Sequence, residues 1–147
     1  MTSRRQRTEA VRTLARASRL LERASGDLSL AQYRILAAVR DGDERATRVA
    51  ARLALGKPTV SAAVDGLCRR GLLIREDVAE DQRAAALRLT DAGASLLDDV
   101  EAAMVARLDT VLVHADDPAG LVRGLAQLGA ALDVLAASHT TERAGMR

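Results

Sequence analysis

The side chains of this 147-residue chain that are placed to do chemistry crowd into one stretch, Arg45 to Arg83. Hydroxyls and small residues recur at Thr59, Ser61 and Ala62, with an acid at Asp65 and cations at Arg45, Arg48, Arg52, Lys57, Arg69, Arg70 and Arg83. Such groups hydrogen-bond and ion-pair. A hydroxyl can bond a phosphate oxygen or a base edge, small residues let the backbone come close, and cations neutralise phosphates. The constellations that other chemistries need do not accompany them. His114 and His139 are far apart, with no Cys or carboxylate at metal-ligand spacing. Asp98 and Asp99 are neighbours on a helical pattern, so their side chains diverge. No Ser/His/acid set and no phosphate-cradling glycine loop occurs. The reading is therefore not an enzyme, with no metal and no cofactor.

These groups need elements to hold them. Val11, Leu14, Ala15, Ala17, Ser18, Leu21 and Ala24 give residues 4–24 one apolar or small helical face. Ser29 and Gln32 have capping-box spacing and open a second helix. Its inward edge reads Leu30, Tyr33, Leu36, Ala37 and Val39 or Arg40, and Asp41–Gly42–Asp43 stops it. Thr47 is the expected N-cap of a short third helix that ends near Leu53 and buries Val49, Ala50 and Leu53. After the compact joint 54–57, Pro58 suits the first turn of a fourth helix, Pro58 to Arg70. That helix would bury Val60, Val64, Leu67 and Cys68 and present Thr59, Ser61, Ala62, Asp65 and Arg69. Gly71 ends it.

Helix, short glycine-containing turn and helix form the helix-turn-helix layout. Residues 72–75 and 85–89 then have strand character around a loop, 77–83, that carries Asp81 and Arg83. The alanines make this hairpin a reading from context, since alanine is a poor strand former. Thr90 caps a long helix from Ala92 to about Val113, and Asp116–Asp117–Pro118 interrupts the pattern. A last helix is expected over 119–137, with Leu121, Val122, Leu125, Leu128, Leu132 and Leu135 on its apolar side and a frayed tail beyond. The fold class is mostly α with a small β wing.

Composition sets the class. With 48% hydrophobic and 29% charged residues the chain reads as folded rather than disordered. Its core must be built from Leu, Val and Ala, because Tyr33 is the sole aromatic residue. Residues 1–71 carry fifteen Lys or Arg against seven Asp or Glu, whereas 72–147 carry seven against thirteen. A positive half can meet phosphate while an acidic half faces elsewhere. No long uncharged run points to a membrane, and arginines interrupt the N-terminal stretch before any signal-like apolar segment. The lone Cys cannot form an internal disulfide, which fits a reducing cytoplasm.

The segments LSLAQYRILAAV, RVAARLALGKPTVSAAVDGLCRRGLLIR and EDQRAAALRLTDAG resemble the MarR family of winged helix-turn-helix regulators over Leu28–Gly93. The most specific matches are Thr59–Val60–Ser61, Leu67, Gly71–Leu72, Asp81–Gln82–Arg83 and Leu89–Thr90–Asp91–Ala92–Gly93. The resemblance implies an N-terminal dimerisation helix (1–27), a winged DNA-binding domain (28–90) and C-terminal dimerisation helices with a tail (91–147). It also implies a cytoplasmic homodimer that binds double-stranded DNA, most simply as a repressor of a palindromic operator. The helix matching Pro58–Arg70 would enter the major groove. The residue matching Arg83 would reach the minor groove, and Asp81 would orient it.

The expected DNA contacts are Arg45, Arg48, Lys57, Pro58, Thr59, Ser61, Ala62, Asp65, Arg69 and Arg83. Arg69 and Arg70 lie at a helix end, where they could equally favour the dipole. Gly56–Lys57–Pro58 departs from the family's usual hydroxyl or acidic cap, and the wing is of mixed charge. Relatives bind small acidic or phenolic effectors, so Tyr33 is the candidate for a ligand pocket, set against its reading as a core residue with a hydrogen-bonded hydroxyl. Cys68 reads as a buried small hydrophobe ahead of a redox sensor. The competing function is a protein-interaction module that keeps the fold without regulated DNA readout.

Overall fold

Residues 2–42, 45–76 and 86–144 are described by the computed structural model, with side chains through Ser138. Along them run α1 (Arg4–Ala24), α2 (Leu30–Arg40), α3 (Ala46–Leu53), α4 (Lys57–Arg69), β1 (Leu73–Glu76), β2 (Ala86–Leu89), α5 (Asp91–Leu112) and α6 (Pro118–Ala144). The helix ends follow local chemistry. At α2 the Gln32 amide donates to Ser29 Oγ at 3.1 Å, and the Ser29 amide donates to Gln32 Oε1 at 3.0 Å. The same reciprocal pair, Ser3 and Gln6, opens α1.

Three sequence expectations need correction. Thr47 is not the cap of α3: Arg45 holds that place without a side-chain hydrogen bond, and Thr47 lies inside the helix. Packing wins over propensity here, because starting at Ala46 lets Ala46, Val49, Ala50 and Leu53 all meet the core. Cys68 is only partly buried against that core. The last helix continues through Ala144, so the expected fraying after residue 137 does not occur there.

The core is aliphatic. Ile35, Leu36, Val49, Val60, Val64, Leu67, Leu73 and Leu97 are buried almost completely. β1 and β2 pair antiparallel, with Leu73 opposite Leu89 and Glu76 opposite Ala86. Both strands turn a leucine inward, Leu73 and Leu87. α5 shares this core through Leu97, Val100 and Met104. Its first turn is fixed more tightly still. Thr90 Oγ1 donates to the Gly71 carbonyl at 2.6 Å and accepts from the Gly93 amide at 3.0 Å, while the Thr90 amide donates to the Leu72 carbonyl at 3.2 Å.

A polar clasp joins α2 to α5 outside the core. Arg40 donates to Glu101 Oε1 and Oε2 at 2.7 and 2.6 Å and to Asp98 at 3.0 Å. The Tyr33 hydroxyl reaches Glu101 at a long 3.5 Å. Burial pushes the Tyr33 phenol above its ordinary value, and the Glu101 carboxylate beside it pushes further, with Arg40 opposing. A raised folded-state value means the stabilisation is complete below the unfolded value near 10 and is lost as pH rises through the folded one. Because Tyr33 is the only tyrosine and there is no Trp, its tyrosinate absorbance reads this directly. The midpoint should lie above that of the denatured chain, and Glu101→Gln should lower it. Coincident midpoints would show that the ring is not held here.

α6 is unlike the other helices. Leu121, Leu125, Leu128, Leu132 and Leu135 recur at alternating steps of four and three, and all five are exposed. Val11 and Leu14 of α1 and Val105, Val111 and Val113 at the far part of the α5 region are exposed too. Over Pro118–Ser138 α6 is also long and apolar enough to cross a membrane by length and composition, with Arg123 and Asp133 interrupting it.

Candidate nucleic-acid interface

α3 and α4 join through Ala54, whose left-handed backbone (φ 52°) turns the chain, and Gly56 then caps α4 without a side chain. The left-handed residue is an alanine, so the turn is carried by its surroundings: the Leu55 amide donates to the Ala50 carbonyl at 3.1 Å. Arg34 also reaches across from α2 and donates to the Leu53 carbonyl at 3.0 Å, closing the end of α3.

Val60, Val64 and Leu67 bury one side of α4. Helical periodicity places Pro58, Ala62 and Arg69 opposite that side, with Thr59 and Ser61 flanking. Lys57, Pro58, Thr59, Ser61, Ala62 and Arg69 are exposed together, and Arg45 and Arg48 are exposed on α3 nearby in the chain. Among the described residues none of Arg45, Arg48, Lys57 and Arg69 has a carboxylate partner. The face is thus small and polar at its centre and cationic around it, which suits a groove lined by phosphates. No side chain caps the start of α4, so its first-turn amides add positive dipole on the same side as Lys57.

Asp65 behaves differently from its sequence reading as a surface contact. It is half-buried, and Arg75 of β1 donates to it at 2.6 Å, tying α4 to the wing. Arg52 is engaged with Asp41 at 3.2 Å. Arg70 turns back toward the Asp27 carbonyl at 3.4 Å. Neither the Asp65–Arg75 pair nor the Arg40 clasp was evident in the sequence, since each joins residues on different elements at no motif spacing. Asp81 and Arg83 lie outside the described residues. Tyr33 is not among the residues that line the cavity between α1 and α5. No group of three or more His, Cys, Asp or Glu among the described residues could hold a metal ion.

Comparison with known proteins adds a lineage to this geometry. Residues 26–84 match the model of the MarR family. The winged helix-turn-helix of this chain is similar to that family's. The MarR segment covers α2 to the wing, and solved structures extend the likeness to the flanking helices. The PcaV transcriptional regulator from Streptomyces coelicolor is 26% identical, with TM-score 0.66, over 84% of this chain and 93% of that one. The transcriptional repressor CouR, solved bound to a 23-mer DNA duplex, is 25% identical, with TM-score 0.71, over 82% and 89%. MarR from E. coli shares the fold at 17% identity, with TM-score 0.71, over 86% and 96%. No curated protein matches the chain in sequence. The fold carried here is that of DNA-binding transcriptional regulators.

Proposed function

We propose that this chain is a homodimeric, sequence-specific reader of double-stranded DNA that represses transcription from a palindromic operator. The observation that carries the reading is the exposed face of α4, polar and small at its centre and flanked by cations that have no carboxylate partner among the described residues. α4 enters the major groove; Thr59 and Ser61 bond base edges or phosphates there, while Lys57, Arg45, Arg48 and Arg69 neutralise phosphates. The wing loop brings Arg83 to the minor groove, where a guanidinium suits the narrow negative channel, with Asp81 orienting it. Asp65 supports the wing through Arg75 rather than reading DNA.

Residues 1–27 and 91–147 supply the dimer, with the leucine seam of α6 covered by a second copy. Exposed apolar area of this extent marks an interface. Two copies related by a dyad place their reading helices about 34–36 Å apart, one turn of B-DNA. CouR is described as a repressor bound to a DNA duplex and PcaV is described with its natural ligand, which supports repression relieved by a small molecule.

Titration of the full chain with duplexes from its neighbouring promoter, at controlled salt, tests this. A specific complex is expected. Arg83→Ala should weaken the specific complex by about 1–3 kcal/mol, whereas Lys57→Ala should weaken all sequences alike and reduce the salt slope by about 1. Equal affinity for operator and random duplex would overturn the reading in favour of a protein-interaction module.

A further inference from the structure

Given the DNA reading above, on which this rests, we infer that each half-site is selected through the C5-methyl groups of thymines. They are met by the methyls of Thr59 and Ala62 and the ring of Pro58, at the start of α4. In a major-groove helix the N-terminal residues are the ones that meet base edges. The exposed side chains there are Lys57, Pro58, Thr59, Ser61 and Ala62. None is an arginine, asparagine or glutamine, whose forks distinguish guanine or adenine by paired hydrogen bonds.

Little else on this face can choose a base by hydrogen bonding. A free carboxylate at Asp65 would accept from a cytosine amino group, but Arg75 donates to it at 2.6 Å. Gly66 has no side chain to offer. Lys57 and Arg69 stand at the two ends of α4, about 18 Å apart along its axis, and are the cations assigned to phosphates. The hydroxyls of Thr59 and Ser61 bond donors and acceptors alike, so they hold the helix without choosing a base. Thr59 Oγ1 moreover lies toward the start of the helix, 3.8 Å from where a Cβ on Gly56 would stand, which leaves its methyl as the other branch. What can choose is carbon. Pro58 and Ala62 share one face of α4 at i, i+4 spacing, with Thr59 beside them. Thymine alone among the four bases presents a methyl in the major groove, and side chains this small let the helix come close enough to take it out of water.

Deoxyuridine differs from thymidine only by that methyl, so it isolates the contact. The full chain is used to select duplexes from a random pool, and each thymine of the selected half-site is then replaced in turn by deoxyuridine, symmetrically in both halves. At one or two positions affinity should fall by about fourfold for each methyl lost, or about 15-fold for the symmetric pair. Replacing guanines by 7-deazaguanine, which lacks the N7 acceptor, should cost less. Thr59→Ser and Ala62→Gly close the cycle: each removes a methyl from the protein and should abolish the deoxyuridine penalty at the position it meets. Circular dichroism shows that both variants fold, and the deoxyuridine series on the parent chain stands without them. Selected duplexes that tolerate deoxyuridine everywhere would overturn the thymine assignment while leaving the DNA reading intact. A larger loss with 7-deazaguanine would do the same, making Lys57 or Arg69 the reader, and so would a deoxyuridine penalty unchanged in both variants. Failure to select any duplex over random DNA would overturn the DNA reading itself, and the thymine assignment with it.

Discussion

Gly93→Ala will destabilise the fold by about 2 kcal/mol or more, although it replaces a glycine within a helix. A Cβ built at Gly93 lies 2.0 Å from the Leu72 carbonyl oxygen and 3.0 Å from its carbon. The obstacle is backbone, and it cannot swing aside. Leu72 and Leu73 are buried, the Leu72 carbonyl already accepts from the Thr90 amide, and Leu97 anchors α5 one turn further on. Relief requires α5 to lift from the core or the chain after α4 to shift. Overpacking of this kind costs about 3 kcal/mol, and the intrinsic helical advantage of alanine returns at most about 1. Gly66→Ala in α4 is the informative comparison. Its nearest atoms would be 3.8 Å away, ordinary contact, so the propensity gain should survive and raise stability by up to about 1 kcal/mol. Urea melts of the two variants should therefore move in opposite directions. A Gly93→Ala protein as stable as the parent would show that α5 does not sit on Leu72 in solution.

Leu128→Glu should convert the protein to a folded monomer and lower its affinity for a full operator by about 100-fold or more. Leu128 is the middle residue of the α6 seam and is exposed in the single chain, so a carboxylate there costs the isolated fold little. Between two copies it would be buried without a partner, which is strongly unfavourable. A lone lobe then contacts one half-site, and the loss is a substantial part of the usual gap between specific and non-specific binding. Light scattering gives the mass, circular dichroism confirms that helix content is kept, and operator titration gives the affinity. A variant that stays dimeric would move the seam away from α6. A monomer with full affinity would sink the two-half-site reading.

Much of this arrangement is legible in the residue order. Ser29 and Gln32 announced α2 because both partners of the cap lie within one turn, and Val60, Val64 and Leu67 announced the buried side of α4 through their spacing. Thr47 misled for the complementary reason: a capping residue is only a local preference, and the burial of Ala46 moved the start of α3 past it. The role of Gly93 was hidden. In sequence it is one more small residue after Thr90, and only the approach of the Leu72 carbonyl explains why no side chain fits. The tie from Asp65 to Arg75 is not legible in the sequence, because the two residues lie on different elements. The cavity between α1 and α5 was equally unreadable, since nothing local says that Arg23 and Arg107 share it.

The junction at Gly93 also sets the mechanics of the molecule. α5 has 22 residues, a rod about 33 Å long. It is fastened at its first turn to the backbone leaving α4 and shares its next turns with the core around α2, so α5 and the core that carries α4 are joined at these points. Displacing the far end by about 3 Å tilts the rod by about 5°, and the displacement is itself close to the rise of one base pair. A displacement near residues 105–117 would therefore tilt the exposed face of α4 with the core that carries it.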